Sequence, residues 1–268
     1  MRFEEAVVLT RPRSPGSMAP VKPPRDASAA AGAFLVAIPT YNERENIDGL
    51  LSTLLELYPA AHVVVIDDGS PDGTGDLVAA RADRDSRVHL IRRLGKAGLG
   101  SAYREAFAWA LDRGFALVAQ MDADWSHDPR DLSRLVEATE ETDVAVGSRY
   151  VAGGRIEHWP RSRLLLSRLA NTLARLVVGG QVRDLTSGFK CYRASVLKAL
   201  PFGPGGITSE GYSFQVDILY HCRRAGFRVR EVPIVFIDRR HGRSKMSRAE
   251  IWRAVRTLLR IGLRRLAG

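Results

Sequence analysis

Five short apolar runs alternate with four helical stretches between Phe34 and Gly147, and this alternation constrains the fold more than any other feature of the chain. The runs are Phe34 to Ile38, His62 to Ile66, Val88 to Ile91, Ala116 to Gln120 and Val144 to Gly147. The helical stretches lie near 44–57, 74–82, 99–112 and 130–140. Strands separated by helices are the signature of βα units feeding a parallel sheet. The chain is therefore expected to be α/β, with a mostly parallel central sheet flanked by helices. After Gly147 the pattern changes to a loop with Gly153 and Gly154, then a basic helix from Arg161 to Val178. Mixed segments follow, with a helix near Glu210 to Ala225, strands near Phe227 to Glu231 and Ile234 to Ile237, and a closing helix from Ser247.

Composition narrows the classes. With 268 residues and 45% apolar content the chain can bury a sizeable core, which excludes wholesale disorder. Cys191 and Cys222 lie far apart without a CxxC spacing, so neither a disulfide framework nor a zinc site is expected, and a reducing compartment is the default. The longest strongly apolar run, Ala29 to Ile38, is about half of what a membrane-spanning helix needs. Residues 1–32 lack the apolar core of a signal peptide, carry five prolines and read as a disordered leader. The formal charge of +10 is concentrated at the end, where residues 239–268 hold ten basic residues and one acidic one, Glu250.

In open α/β sheets ligands bind beyond the carboxyl ends of the strands. The unusual residues of this chain fall there. Pro39-Thr40-Tyr41-Asn42-Glu43 follows the first run, Asp67-Asp68-Gly69-Ser70-Pro71-Asp72-Gly73-Thr74 the second, and Asp122-Ala123-Asp124 the fourth. Taken singly, these are ordinary turn formers and helix caps. Converging on one rim, acidic clusters repel one another unless a cation or a ligand's donors compensate. Asp122 and Asp124, alternate residues leaving a strand, suit a hard cation shared with substrate phosphates, which makes Mg2+ or Mn2+ on a diphosphate the natural expectation.

The segments PTYNE, DDGSPDGT and DADWSHDP, in this order, resemble the GT-A glycosyltransferases that use nucleotide-sugar donors. Gly147-Ser148-Arg149, Glu157-His158-Trp159-Pro160 with Arg163 and Ser167, Arg183 to Phe189, and Asp238 to Lys245 narrow the likeness to the dolichol-phosphate (polyprenol-phosphate) mannose synthases. The resemblance covers roughly residues 34–250 and implies a single GT-A, Rossmann-like domain over 33–246, with 247–268 left as a basic amphipathic helix.

It also implies roles. Pro39, Tyr41, Glu43 and Asp68 would surround the nucleoside of GDP-mannose, and Asp122 and Asp124 would hold the metal. A third metal contact comes two positions further on in that family, often from Gln; here the position is Ser126. Arg149, Arg163 and Ser167 match the residues that hold the acceptor, a polyprenyl monophosphate. Arg239 and Lys245 match a loop that closes over the donor diphosphate and neutralises the leaving GDP. A phosphate acceptor is already anionic at neutral pH, so no catalytic base is needed. One displacement inverts the anomeric carbon to give a β-linked polyprenyl phosphate mannose. Asp124, Arg149, Arg239 and Lys245 are thus the expected catalytic set. The nearest alternative is the same fold using UDP-glucose.

On a helical wheel Trp252, Val255, Leu258, Leu259, Leu263 and Leu266 share one arc, and Arg253, Arg256, Arg260 and Arg264 the adjoining one. Such a helix lies in the interface of an anionic membrane, or packs on the domain with a basic face exposed. The long isoprenoid acceptor favours the first, and with it a peripheral position on the cytoplasmic face. Either this helix or an anchoring partner protein must keep the enzyme near its lipid. Nucleic acid as a partner would account for the basic tail but not for the acidic rim, since carboxylates repel a phosphate backbone.

Overall fold

The computed structural model describes residues 34–211, 213–238 and 248–266, without the side chains of 248–251 and 266. Strands β1 (Phe34–Thr40), β2 (His62–Asp67), β3 (Val88–Arg92), β4 (Leu117–Gln120) and β5 (Val144–Ser148) occupy the five apolar runs. Between them lie α1 (Arg44–Leu57), α2 (Thr74–Ala82), α3 (Leu99–Asp112) and α4 (Leu132–Ala138). The helix expected over 130–140 is shorter because Asp128, through its side chain, accepts the Arg130 N–H and caps a 3-10 turn, Pro129–Asp131, ahead of α4.

The later half adds β6 (Arg155–Glu157), α5 (Arg161–Val178), β7 (Lys190–Arg193), α6 (Ala194–Ala199), α7 (Ser213–Arg224), β8 (Val229–Pro233), β9 (Val235–Ile237) and α8 (Arg248–Leu266). Seven strands form one sheet in the order β3-β2-β1-β4-β7-β5-β8, and β6 pairs with β9 in a second, two-stranded sheet. All pairings are parallel except those of β7 with β4 and β5. The topology confirms an α/β fold with a mostly parallel sheet.

Alternate side chains of each central strand feed opposite layers, because successive residues of a strand point to opposite faces. Leu35, Ala37, Val64 and Ile66 pack on the side of Tyr103, Phe107 and Phe214. Val36, Ile38, Val63 and Val65 pack on the side of α1, against Ile47, Leu50, Leu51 and Leu54. Both faces being covered, the strands read as continuous apolar runs. The reversal of chain order on either side of β1 and β4 opens a crevice at the carboxyl ends of these strands, where the acidic segments gather.

The last helix belongs to this body. Ile261 is fully buried in the first layer, and Thr257 is buried beside it. Arg265 Nη1 donates to the carbonyls of Leu176 and Val177 and so caps the end of α5. The helix expected from Ser247 is thus docked on α5 and α7 rather than standing apart as a tail. No helix among the described residues is long and apolar enough to cross a membrane. The expected leader, 1–32, lies outside the described residues.

Candidate active site

The loops after β1 and β2 are tied together by carboxylates. Asp67 accepts the Thr40 hydroxyl at 3.0 Å and the Ser70 N–H at 3.0 Å, and Asp72 accepts the Arg44 and Thr74 N–H groups. This stitching holds Asn42 at a φ of 56°, in the left-handed region that side-chain-bearing residues enter seldom and mostly near functional sites. Pro39 and Glu43 reach the wall of a cavity of about 790 Å³ at the carboxyl end of the sheet. Glu43 is buried and accepts from Asn46 Nδ2 at 2.9 Å. Tyr41 stacks beneath Lys96, whose Nζ lies 4.6 Å from the ring centroid, and Lys96 also lines the cavity.

Asp68, expected at the nucleoside, has partners of its own within the chain. Its carboxylate accepts from Arg93 at 2.7 Å and from the Gly98 N–H at 3.3 Å, because the loop after β3 folds over it. Asp68 therefore orders the segment that carries Lys96.

Asp122 and Asp124 both line the cavity. The Asp124 carboxylate is fixed by the N–H of Ser126 at 3.1 Å and by the Ser126 hydroxyl. Ser126, expected from the sequence as a third metal contact, is buried, and its hydroxyl is bonded to Asp124. Asp122 packs closely on Gly188, where a Cβ would sit 3.1 Å from Oδ2 and press on this carboxylate. Its backbone N–H is accepted by His127 Nδ1 at 3.2 Å, and burial pushes the His127 imidazole down to about 4, so the ring is neutral and free to accept. The two carboxylates fit a hard divalent cation. Among the described residues no group of three or more His, Cys, Asp or Glu is placed to hold a metal ion.

Arg149, Arg163 and Ser167 come together on the flank of the site, off the walls of this cavity. Arg149 is buried, and its Nε and Nη2 donate to Asp184, each at 2.7 Å, with Nη2 also reaching Thr186. Burial by itself raises the Asp184 carboxyl, but the Arg149 guanidinium outweighs it and holds the group below the usual carboxylate range. Arg163 binds Asp238 at 3.1 Å and stacks on Trp159, its guanidinium carbon 3.9 Å from the ring centroid. The Arg149 guanidinium lies 5.9 Å from the same ring, so Trp159 bridges the two arginines. Tyr150 donates its hydroxyl to Ser167 at 2.7 Å. Arg239 and Lys245 lie outside the described residues.

Several site residues escaped the sequence. Glu210 lines the cavity, accepts from Arg104 and takes the Ser101 N–H at 2.9 Å. Its loop touches α3 at Gly100, where a Cβ would meet the Ser209 carbonyl at 2.2 Å. The run Gly95-Lys96-Ala97-Gly98-Leu99-Gly100 between a strand and a helix was the signal that could have found this contact. Behind the carboxylates Lys190 is fully buried, donates to Ser187 O and Gln215 Oε1, and is pushed down to about 7 by burial.

A nucleotide-sugar transferase is the class that this sheet and this carboxylate pair define. The chain belongs to glycosyl transferase family 2, whose model matches residues 35–200. It is 46% identical over 233 residues to a polyprenol monophosphomannose synthase of Mycolicibacterium smegmatis, covering 86% of this chain and 87% of the relative. It is 44% identical over 229 residues to an undecaprenyl-phosphate mannosyltransferase of Micrococcus luteus, covering 85% and 93% respectively. Among solved structures, glucosyl-3-phosphoglycerate synthase of Mycobacterium tuberculosis, in complex with Mn2+, UDP-glucose and glycerol 3-phosphate, superposes with a TM-score of 0.64. That match covers 88% of this chain and 81% of the other at 21% identity, so it speaks for the fold alone. The same enzyme was also crystallised with Mg2+ and UDP, at a TM-score of 0.62, 20% identity and 88% and 80% coverage.

Proposed function

We propose that this protein moves mannose from GDP-mannose to a polyprenyl monophosphate, releasing GDP and a polyprenyl phosphate β-mannose. The observation that carries the chemistry is the cavity of about 790 Å³ whose lining includes the carboxylates Asp122 and Asp124 together with the basic residues Arg253 and Arg256. The mannosyl group and the polyprenyl acceptor are drawn from the relatives at 44% and 46% identity.

Pro39, Tyr41, Glu43 and Asp68 would seat the nucleoside, with Asp68 also holding Arg93 and the loop bearing Lys96. Asp122 and Asp124 would hold Mg2+ or Mn2+, which when bound lowers the negative charge of the donor diphosphate. An oxygen of the acceptor phosphate attacks the anomeric carbon from the face opposite the diphosphate. A carbon–oxygen bond forms to the lipid phosphate as the one to GDP breaks, and its electron pair leaves with GDP. No proton has to be removed, so positioning and charge are the protein's contribution. Arg149, Arg163 and Ser167 would align the acceptor, and Arg239 and Lys245 would close on the leaving group.

The enzyme would work as a peripheral protein on the cytoplasmic face. Leu165, Leu166, Leu169, Leu173 and Leu176 of α5 and Trp252, Val255, Leu259 and Leu263 of α8 are all exposed. Large exposed apolar patches mark interaction sites, and two adjacent helices of this kind suit insertion among lipid headgroups. The test is to incubate purified protein with Mn2+, radiolabelled GDP-mannose and vesicles carrying undecaprenyl phosphate. Label should enter the organic phase with wild-type protein and stay in the aqueous phase with Asp124→Asn. Label left in water by the wild type would refute the proposal.

A further inference from the structure

The row of arginines on α8, which the sequence alone assigns to a membrane surface, runs along the cavity: Arg260 is half-buried, and Arg253 and Arg256 line the cavity while staying exposed to solvent. Arg260 is anchored in the protein, donating to Asp217 Oδ2 at 2.6 Å, to Ser209 Oγ at 2.7 Å and to Thr208 Oγ1 at 2.7 Å. Asp217 is fully buried, so this pairing fixes how α8 is rotated about its axis. Residues three, four and seven apart share a helix face. With Arg260 anchored at the cavity wall, Arg256 and Arg253 are carried onto the same wall one and two turns earlier, and all three line the cavity with Lys96. Trp252, Val255, Leu259 and Leu263 consequently point outward, while Thr257 and Ile261 meet the core.

The cavity is lined by charges of both signs. Glu210 is engaged by Arg104, and Arg260 by Asp217. The carboxylates Asp122 and Asp124 line the cavity, and so do Arg253 and Arg256. Guanidinium forks match the oxygens of phosphate and hold them by paired hydrogen bonds. A metal at the carboxylates and two guanidiniums lining the same cavity would both attract a phosphate held there.

We infer that Arg253 and Arg256 bind a substrate phosphate inside the cavity, so that the last helix completes the catalytic site. For the identity of the substrates this rests on the mannosyl-transfer reading. The chemistry is shared by the donor diphosphate and the acceptor monophosphate, and the experiment separates them. Full-length wild type, Arg253→Gln/Arg256→Gln and Arg253→Lys/Arg256→Lys are titrated calorimetrically with GDP plus Mn2+, and separately with geranyl monophosphate, without vesicles. Arg260 is kept, so α8 stays anchored.

The Gln pair should weaken one of the two ligands roughly 10- to 100-fold, the range that loss of a charge-assisted hydrogen bond covers, and the Lys pair should recover part of it. Loss confined to GDP assigns the donor diphosphate, and loss confined to geranyl phosphate the acceptor. Should the double variant melt below the wild type, the single Arg256→Gln carries the same comparison. Unchanged affinity for both ligands overturns the inference, as does an effect seen only on vesicle binding or a wild type that binds neither compound. Binding that depends on the arginines in a protein transferring no mannose would leave this inference standing and remove the proposed reaction.

Discussion

Arg149→Ala removes a guanidinium from a place where both it and its partner are cut off from water. The side chains of Arg149 and Asp184 are 7% and 0% exposed, and two bonds of 2.7 Å join them. Breaking such a pair from one side leaves a buried charge without a counterion, which costs about 3–5 kcal/mol. Against a typical domain stability of about 5–15 kcal/mol, this is a folding defect before it is a catalytic one. Asp184→Asn should destabilise by a similar mechanism. The double variant Arg149→Met/Asp184→Asn carries neither charge and should lie well above the sum of the single losses, by about 2 kcal/mol or more. Urea unfolding followed by circular dichroism measures all three. A wild-type midpoint for Arg149→Ala would refute the buried-pair reasoning. If the double variant recovers stability but not transfer to polyprenyl phosphate, Arg149 also serves the acceptor directly.

Removing the metal should stop transfer without unfolding the protein: EDTA, and Asp124→Asn, should each lower the rate by at least about 100-fold, and a full rate in EDTA would refute the metal assignment. His127 titrates near 4 when folded against an ordinary value of about 6.5, so the unfolded chain binds the extra proton in this window and stability falls as pH drops through it, by about 3 kcal/mol in all. His127→Asn should flatten that slope in urea midpoints taken between pH 6.5 and 4. Replacing Leu165, Leu169, Trp252 and Leu259 together by serine should release the protein from anionic vesicles, measured by co-sedimentation, and leave transfer to geranyl monophosphate within about twofold. Equal loss on both acceptors would show that these side chains serve the fold.

The first half of the fold could be read because its strands are covered on both faces and its helices carry a clear period. The α5 span, Arg161–Val178, has the bounds that its pattern gives. β7 could not be read: Lys190-Cys191-Tyr192-Arg193 looks polar, and Lys190 is buried only because Ser187 and Gln215 accept from it. Asp122 and Asp124 were visible because strand ends carry ligands in such sheets. Asp184, Glu210 and Asp217 were not, since their partners stand 35, 106 and 43 positions away. The helical wheel of α8 grouped the arginines, but a wheel says which residues share a face, not what that face meets. Only the anchor on Asp217 turns them toward the cavity.

A competition among donors tests mannosyl transfer to polyprenyl phosphate most directly. The protein is given undecaprenyl phosphate in vesicles with Mg2+ or Mn2+, and equal concentrations of labelled GDP-mannose, UDP-glucose, UDP-galactose and GDP-glucose in separate reactions. Label extracted with the lipid is counted, and the product's anomeric configuration is read by NMR. GDP-mannose should label the lipid at a rate well above the others, with the sugar β-linked. Preferential labelling from UDP-glucose, or an α-linked product, would contradict the proposed reaction.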